Sequence, residues 1–303
     1  MADKKHHTCF PSATEDVGHS RRFIENDQTK SPSYKLAYND RDFMMRDELR
    51  PVRLQLELLK PELLQQEHDI RATVVIFGGT RVPEESVARE RLAEAENQAK
   101  ESPESEFHRR QVKAAQRVLA KSRYYEEARK LARQLSEVSH VGMGCDLVVL
   151  TGGGPGIMEA ANRGAHEAGA KSMGLNIVLP HEQAPNPYIT PELCFQFHYF
   201  SIRKMHFLMR AHALVAFPGG FGTMDELFET LTLIQTKKIK PLPVLLFGRE
   251  FWEKVIDFDF LMEEGVIAPD DLNIFQYVET AEEAARIILA HNADKSGNSA
   301  DAL

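Results

Sequence analysis

The 303 residues are 43% hydrophobic and 27% charged, with 37 Lys plus Arg against 45 Asp plus Glu and a formal charge of −8. Such a chain is globular rather than disordered or fibrous, with room for about two average domains or one large α/β domain carrying an extension. Its acidity excludes broad binding to a nucleic-acid polymer and leaves room only for a local basic pocket that takes a small anion.

Residues 1 to about 40 are polar and without sustained periodicity, which predicts a polar tail; His6, His7 and Cys9 belong to it and are not read as metal ligands. From Arg41 to about residue 70, Phe43, Leu49, Leu54, Leu56, Leu58, Leu59, Leu63 and Leu64 recur at helical spacing, and Pro51 and Pro61 are expected to break this extension into shorter helices. The segment Pro83 to Lys121 is charged, rich in Ala, Glu, Arg and Gln, and reads as a helical insertion. Seven β-rich stretches are expected at Thr73–Phe77, Asp146–Leu150, Ser172–Leu179, Cys194–Tyr199, Ala213–Phe217, Leu242–Phe247 and Ile274–Val278. Helical patterns at Tyr124–Val138, Ile157–Ala168, Asp225–Thr236, Glu250–Glu264 and Ala281–His291 fall between or after them. Near-continuous apolar strands alternating with helices imply a parallel sheet covered on both faces, hence a doubly wound, Rossmann-like α/β domain over residues 71–292, followed by a polar tail over 293–303. Cys9, Cys145 and Cys194 are widely spaced with no CxxC pair, and no apolar run approaches the roughly 18 residues of a membrane helix. A cytoplasmic setting and no membrane partner are the resulting expectations.

Three strands run into glycine at their carboxyl ends: Phe77-Gly78-Gly79-Thr80-Arg81, Thr151-Gly152-Gly153-Gly154-Pro155-Gly156 and Phe217-Pro218-Gly219-Gly220-Phe221-Gly222-Thr223. Bare Cα atoms followed by a helix start offer free N–H donors and partial positive charge, an anion site, and three such turns at one sheet edge point to a phosphate-bearing ligand. None is the dinucleotide fingerprint, because Glu159 stands where its third glycine belongs, and no P-loop occurs. Ser201 reads as an N-cap that sets Arg203 and Lys204 in a first helical turn, where an anion would rationalise two cations. Thr223 and Glu226 also fit a capping box, with Thr223 as N-cap, which would make this carboxylate purely structural.

With TGGGPGIMEAANRGA (Thr151 to Ala165), Arg203-Lys204 and PGGFGTMDE (Pro218 to Glu226), the chain resembles the Lonely Guy family, whose older label is lysine decarboxylase. The pattern PGGxGTxxE is matched at every fixed position, and the resemblance runs from about Ala72 to Leu289 outside the insertion. It implies hydrolysis of the N-glycosidic bond of a purine nucleoside 5′-monophosphate, AMP or an N6-modified AMP, to free base and ribose 5-phosphate. It also implies a homodimer or larger homo-oligomer, with the leucine-rich segment Leu49 to Leu64 as apolar surface in need of cover. The family's catalytic Arg and Glu fall on Arg203 and Glu226, and its phosphate-binding positions on Gly219, Gly220, Gly222 and Thr223. Gly152, Gly153, Gly154 and Gly156 complete the nucleotide pocket, and Lys204 is placed with the phosphate. Met158, Glu159 and Arg81 are further candidates, Glu159 for contact with the base, whereas Glu229 reads as a solvated helix charge. His198, His206 and His212 lack the spacing of a metal pair, so neither a metal nor a cofactor is expected.

In residue chemistry, cleavage of a ribosyl C–N bond builds positive charge on the sugar, which a fixed carboxylate such as Glu226 stabilises, while Arg203 holds an anion and orients Glu226. A non-catalytic nucleotide or molybdenum-cofactor carrier of the same fold would need the glycine turns but not Glu226. A pyridoxal-phosphate decarboxylase would need a Schiff-base lysine, for which Lys204 is the only candidate near the site.

Overall fold

The computed structural model describes residues 10–20, 24–140, 147–180 and 184–298, so that Cys9, Cys145, Asp146 and the last five residues of the expected C-terminal tail lie outside it. The chain divides into two compact units, Met1–Glu57 and Leu58–Leu303. In the first, the stretch expected to be a plain tail carries short helices, α1 (Ala13–Ser20) and α2 (Asp27–Lys30), and α3 (Arg41–Met44) opens the expected helical extension. Asn26 and Asp40 cap α2 and α3 by accepting backbone N–H bonds, so local capping chemistry supplies the order that hydrophobic periodicity did not reveal.

Helix α4 (Arg50–Glu67) is one continuous helix, contrary to the expected breaks at Pro51 and Pro61. Pro51 sits in the first turn, where a missing N–H costs nothing. Pro61 lies mid-helix, but it is buried, and its carbonyl accepts from Gln65 Nε2 at 3.2 Å. In the next position the Glu62 carboxylate takes both guanidinium arms of Arg210, whose Nε also donates to the Ile70 carbonyl at 3.0 Å. Burial and a bidentate ion pair on adjacent residues offset the lost helical hydrogen bond.

The second unit is built on β1 (Ala72–Phe77), β2 (Leu147–Thr151), β3 (Ser172–Ile177), β4 (Cys194–Phe197), β5 (Ala211–Ala216), β6 (Val244–Phe247) and β7 (Phe275–Val278). All six pairings are parallel and the order is β4-β3-β2-β1-β5-β6-β7. The helices are α5 (Glu85–Glu101), α6 (Glu106–Lys121), α7 (Arg123–His140), α8 (Ile157–Glu167), α9 (Phe200–Met209), α10 (Phe221–Gln235), α11 (Arg249–Val255), α12 (Phe258–Glu263) and α13 (Ala281–Asn298). The single helix expected at Glu250–Glu264 is two, because Asp257 starts a new helix as its N-cap, accepting from Phe260 N–H at 2.9 Å.

Strand alternation sorts the core into two layers. Ala72, Val74 and Ile76 pack with α7, α8 and α13 on one face, while Val75 and Phe77 pack with α9, α10, α11 and α12 on the other. Every residue of β1, β2, β3 and β6 is buried, which is why β1, β2 and β6 read as near-continuous apolar runs, whereas β3 also buries Ser172 and Asn176. Trp252 is the largest fully buried side chain, and its indole N–H donates to the Ala216 and Phe247 carbonyls at 3.2 and 3.1 Å. Among the described residues no helix is long and apolar enough to cross a membrane.

Helices α7 and α8 approach at a glycine. A Cβ added at Gly164 would lie 2.0 Å from the Arg129 carbonyl oxygen and 3.0 Å from the Arg133 nitrogen. Helix propensity alone would make Gly164→Ala stabilising by about 1 kcal/mol. Backbone overlap outweighs this, and the expected net result is a loss of roughly 2 kcal/mol or more in urea unfolding. A variant as stable as the parent would show that the two helices separate without cost.

Candidate active site

The sheet runs outward from β1 to β4 and then returns to place β5 on the other side of β1. The adjacent β1 and β5 therefore form a topological switch point, where the loops leaving their carboxyl ends diverge and open a crevice. Both of those loops begin with glycine-rich turns. Phe217 N–H donates to the Phe77 carbonyl and Gly79 N–H to the Pro218 carbonyl, each at 2.9 Å, so the ladder continues past the strands and locks the turns together. Gly156, at φ +73°, comes against the same place, and a Cβ there would lie 2.4 Å from the Gly79 oxygen.

The crevice is a cleft of about 230 Å³. Phe77, Gly78, Gly79 and Thr80 of the β1 turn form one wall, and Gly220, Gly222, Thr223, Asp225 and Glu226 of α10 form the opposite one. Met158 closes it from α8, and Phe200 and Arg203 from α9.

Helix α10 starts at Phe221, with Gly220 as its N-cap and no side chain capping it; Met224 N–H donates to the Gly220 carbonyl at 3.1 Å. Thr223 is thus the third helical residue and Glu226 lies in the second turn, which rules out the capping box. The N–H groups of Phe221, Gly222 and Thr223 have no intrahelical acceptor, as at any helix start, and Gly222 and Thr223 line the cleft. Gly219 is dictated by packing, since a Cβ there would lie 2.1 Å from Thr223 Oγ1. Gly220 and Gly222 are not: a Cβ on either would meet nothing within 4 Å, and neither has a positive φ.

Glu226 is 7% exposed. Burial pushes its carboxyl up from the ordinary 4.5 to about 7; the positive charges of Arg203 and Lys204 pull the other way, and Glu229 and Asp225 add to the rise. Arg203 Nε donates to the Leu175 carbonyl at 2.8 Å, and its guanidinium carbon lies 5.7 and 5.2 Å from the ring centres of Phe200 and Phe207. Lys204 lies between Asp225 and Glu229 at 3.0 and 3.1 Å. Burial draws its pKa down, but those two carboxylates outweigh burial and leave it raised. Lys204 is therefore an ammonium paired to two carboxylates, and it is not among the residues that line the cleft. Ser201 is not the cap of α9, because the helix begins one residue earlier, at Phe200, with Tyr199 in the N-cap position.

Gly152, Gly153, Gly154 and Gly156 are placed behind the cleft rather than on its lining. A Cβ at Gly152 would lie 2.9 Å from both Arg203 Nη2 and Met158 Sδ, so that glycine opens the space in which the two cleft residues meet. Gly153 N–H is already used by Thr151 Oγ1 at 3.0 Å, and Asn186 Nδ2 donates to the Gly153 and Gly154 carbonyls at 3.2 and 3.1 Å. Asn162 ties this turn to the sheet, accepting from Thr151 Oγ1 at 2.7 Å and from Asn186 Nδ2 at 2.9 Å. Glu159 faces α7 instead of a base: burial pushes the Tyr125 phenol up to about 12, and its hydroxyl donates to Glu159 Oε1 at 3.2 Å. Arg81 lines a neighbouring cavity. The side chains missed by motif reasoning are Thr80, Phe200 and the Asn162–Asn186 pair; only Thr80, directly after Gly78-Gly79, carried a sequence signal. His206 is buried 5.5 Å from the Phe197 ring, His198 meets Tyr199 edge-on, and His212 Nδ1 lies 3.2 Å from the Arg210 carbonyl. Among the described residues no group of three or more His, Cys, Asp or Glu is placed to hold a metal ion.

A family model described as "Possible lysine decarboxylase" matches residues 158–288, which include α9, α10 and the whole PGGFGTMDE turn. A cytokinin riboside 5′-monophosphate phosphoribohydrolase of Arabidopsis thaliana is 32% identical over 153 residues, 49% of this chain and 67% of that protein. The chain belongs to the Lonely Guy family. A second relative of the same name, from Oryza sativa subsp. japonica, is 31% identical over 166 residues, 54% of this chain and 65% of that protein, so the chain spans slightly less than two thirds of its length. Among solved structures, a structural-genomics target has 23% identity and a TM-score of 0.44, covering 72% of this chain and 99% of its own. The molybdenum cofactor carrier protein of Chlamydomonas reinhardtii has 15% identity and a TM-score of 0.41, covering 74% and 99%.

In this Lonely Guy chain the buried Glu226 also has a stability signature. Its folded pKa is raised from 4.5 to about 7, so the native state holds the proton over a range in which the unfolded chain has lost it. Its contribution to stability is therefore fully present below the lower value, falls as pH rises between the two, and stays lost above. Glu226→Gln does not titrate, and its unfolding free energy relative to the parent is expected to rise across that window by at most about 3 kcal/mol. Urea unfolding of both proteins at pH 4.5, 6 and 8 measures it, and a constant difference would show that Glu226 is not desolvated.

Proposed function

We propose that the protein hydrolyses the N-glycosidic bond of a purine nucleoside 5′-monophosphate, AMP or an N6-modified AMP, releasing the base and ribose 5-phosphate. One observation carries this reading: an uncapped helix start with two glycines that packing does not demand opens onto the same cleft as a buried carboxyl. The N–H groups at Gly222 and Thr223 suit a phosphate, which approaches closely only where no Cβ stands. Phosphate held there sets the ribose over Glu226, one helical turn further along α10. Half-exposed Phe200, with Met158 opposite, offers the base a flat apolar face.

Water attacks the anomeric carbon as the bond to the base nitrogen breaks, and the base leaves with a proton. Glu226 in its carboxylate form stabilises the positive charge on the sugar and takes a proton from the water. A carboxyl titrating near 7 is matched to that exchange at neutral pH. Arg203, fixed by the Leu175 carbonyl and by two aromatic rings, holds positive charge toward the cleft and pulls Glu226 toward ionisation. A Schiff-base role for Lys204 is disfavoured, because two carboxylates keep it an ammonium. The relatives named phosphoribohydrolases support the same reaction class.

Adenine is expected from AMP and hardly at all from adenosine, because phosphate binding energy positions the sugar. Turnover on AMP should rise with pH to a plateau above about 7. Glu226→Gln should lower it about a hundredfold or more and abolish the pH limb. Chromatographic separation of the bases reads all three quantities. Equal rates on AMP and adenosine would remove the phosphate assignment, and tight AMP binding without base release would point to a carrier.

The working form is proposed to be at least a homodimer. Leu59 and Leu63 on α4 remain half-exposed at 50% and 52%, a costly position for aliphatic side chains one turn apart. Light scattering at micromolar concentration should give twice the mass of the chain, and a monomer there would refute the pairing.

A further inference from the structure

A second cavity of about 580 Å³ opens on the other side of the Gly219-Gly220 turn. It shares Gly79, Thr80 and Gly220 with the catalytic cleft, so the two spaces are contiguous across the start of α10. Its cations are Arg81, just beyond the β1 turn, and Lys121, the last residue of α6. Val118 lies three residues before Lys121, on the same face of α6, and also lines the cavity. No carboxylate lines it, in a chain whose net charge is −8. Among the described residues neither Arg81 nor Lys121 makes an ion pair, whereas Lys204 on the catalytic side is doubly paired. The Lys121 ammonium lies 6.0 Å from the Phe251 ring centre, at the cavity wall.

From this arrangement we infer that the site accepts nucleoside 5′-diphosphates, with the second phosphoryl group in the cavity between Arg81 and Lys121. The inference rests on the proposed reading of the cleft, in which the first phosphate sits at Gly220-Gly222 and the sugar at Glu226. A chain of phosphoryl groups leaving the 5′ oxygen away from Glu226 passes Gly220, the residue shared by both spaces. An anhydride-linked phosphate dianion there meets two cations without a competing acid, and the bare Cα of Gly220 leaves its path clear. The insertion thus has a chemical role, since α6 supplies Lys121 and Val118. The reaction keeps its balance: water's oxygen bonds to the anomeric carbon, the C–N bond to the base breaks, one of the water's protons stays on the new anomeric hydroxyl and the other ends on the base, and ribose 5-diphosphate leaves with its anhydride intact.

The test compares ADP with AMP, without added divalent cation, on the full chain. Base release is followed by chromatography and binding by calorimetry. The parent should bind ADP at least as tightly as AMP and release adenine from both. Lys121→Ala should weaken ADP binding and lower kcat/KM on ADP about tenfold, with AMP changed less than twofold, and Lys121→Glu should exceed that loss. Arg81→Ala should lower kcat/KM on ADP by a similar factor. ADP bound at least tenfold more weakly than AMP, or equal losses on both nucleotides in Lys121→Ala, would overturn the inference. If neither nucleotide releases base while ADP binding still depends on Lys121, the hydrolase reading falls and the second phosphate subsite stands.

Discussion

The candidate site is organised around one carboxyl kept out of water at the mouth of a parallel sheet. Glu226 is 7% exposed because α10 leaves β5 through a turn that brings its second helical turn down over the switch point, against α9. Desolvation drives its pKa toward 7, and the charges of Arg203 and Lys204 prevent the rise from going further. Burial outweighs the two cations and leaves a group poised between protonation states at neutral pH. Removing either side, burial or cations, would move it out of the range useful for proton exchange.

The surrounding residues serve this balance at different ranges. Lys204 meets Asp225 and Glu229 directly, so part of its field is spent on them, and what reaches Glu226 is a moderated positive charge. Arg203 is held from behind by the Leu175 carbonyl of β3 and occupies space opened by Gly152. The turn containing Gly152 is in turn fixed by Asn162 and Asn186. A GGGPG sequence, which suggests a phosphate cradle on its own, here builds the support for an arginine. Its N–H at Gly153 is already committed to Thr151, whereas the helix start at α10 has no side-chain cap.

This division explains what the chain's letters disclosed. The seven strands were legible because most are buried along their whole length, and burial on both faces writes itself as an apolar run. Arg203 and Glu226 were legible as a pair only through the family pattern, since they are 23 residues apart and meet through the packing of α9 against α10. Glu159 could not be placed from sequence: a first-turn acid at a glycine turn suits either a ligand or a neighbouring helix, and Tyr125 of α7 decides it. The capping box failed for a related reason. Gly220 starts α10 by accepting from Met224, three residues ahead of the residue that looked like the cap, and glycine gives no side-chain signal of that choice.

The two glycines without a packing role bring stability and function into direct opposition. At Gly156 and Gly164 the fold itself forbids a side chain, because backbone atoms lie where a Cβ would go. At Gly220 and Gly222 it does not, and Gly222 within α10 costs about 1 kcal/mol relative to alanine. A residue that weakens its own helix while filling no steric need is explained by what must approach from outside. The helix start is also without a side-chain cap, where Ser, Thr or Asp in the Gly220 position would have contributed roughly a few tenths of a kcal/mol. Both features fall within three residues of each other, beside the rim that the candidate cleft shares with the cation-lined cavity at Gly220. Under the proposed reading, a phosphate that accepts from those N–H groups stands where the side-chain cap is missing, which couples ligand binding to the completion of α10.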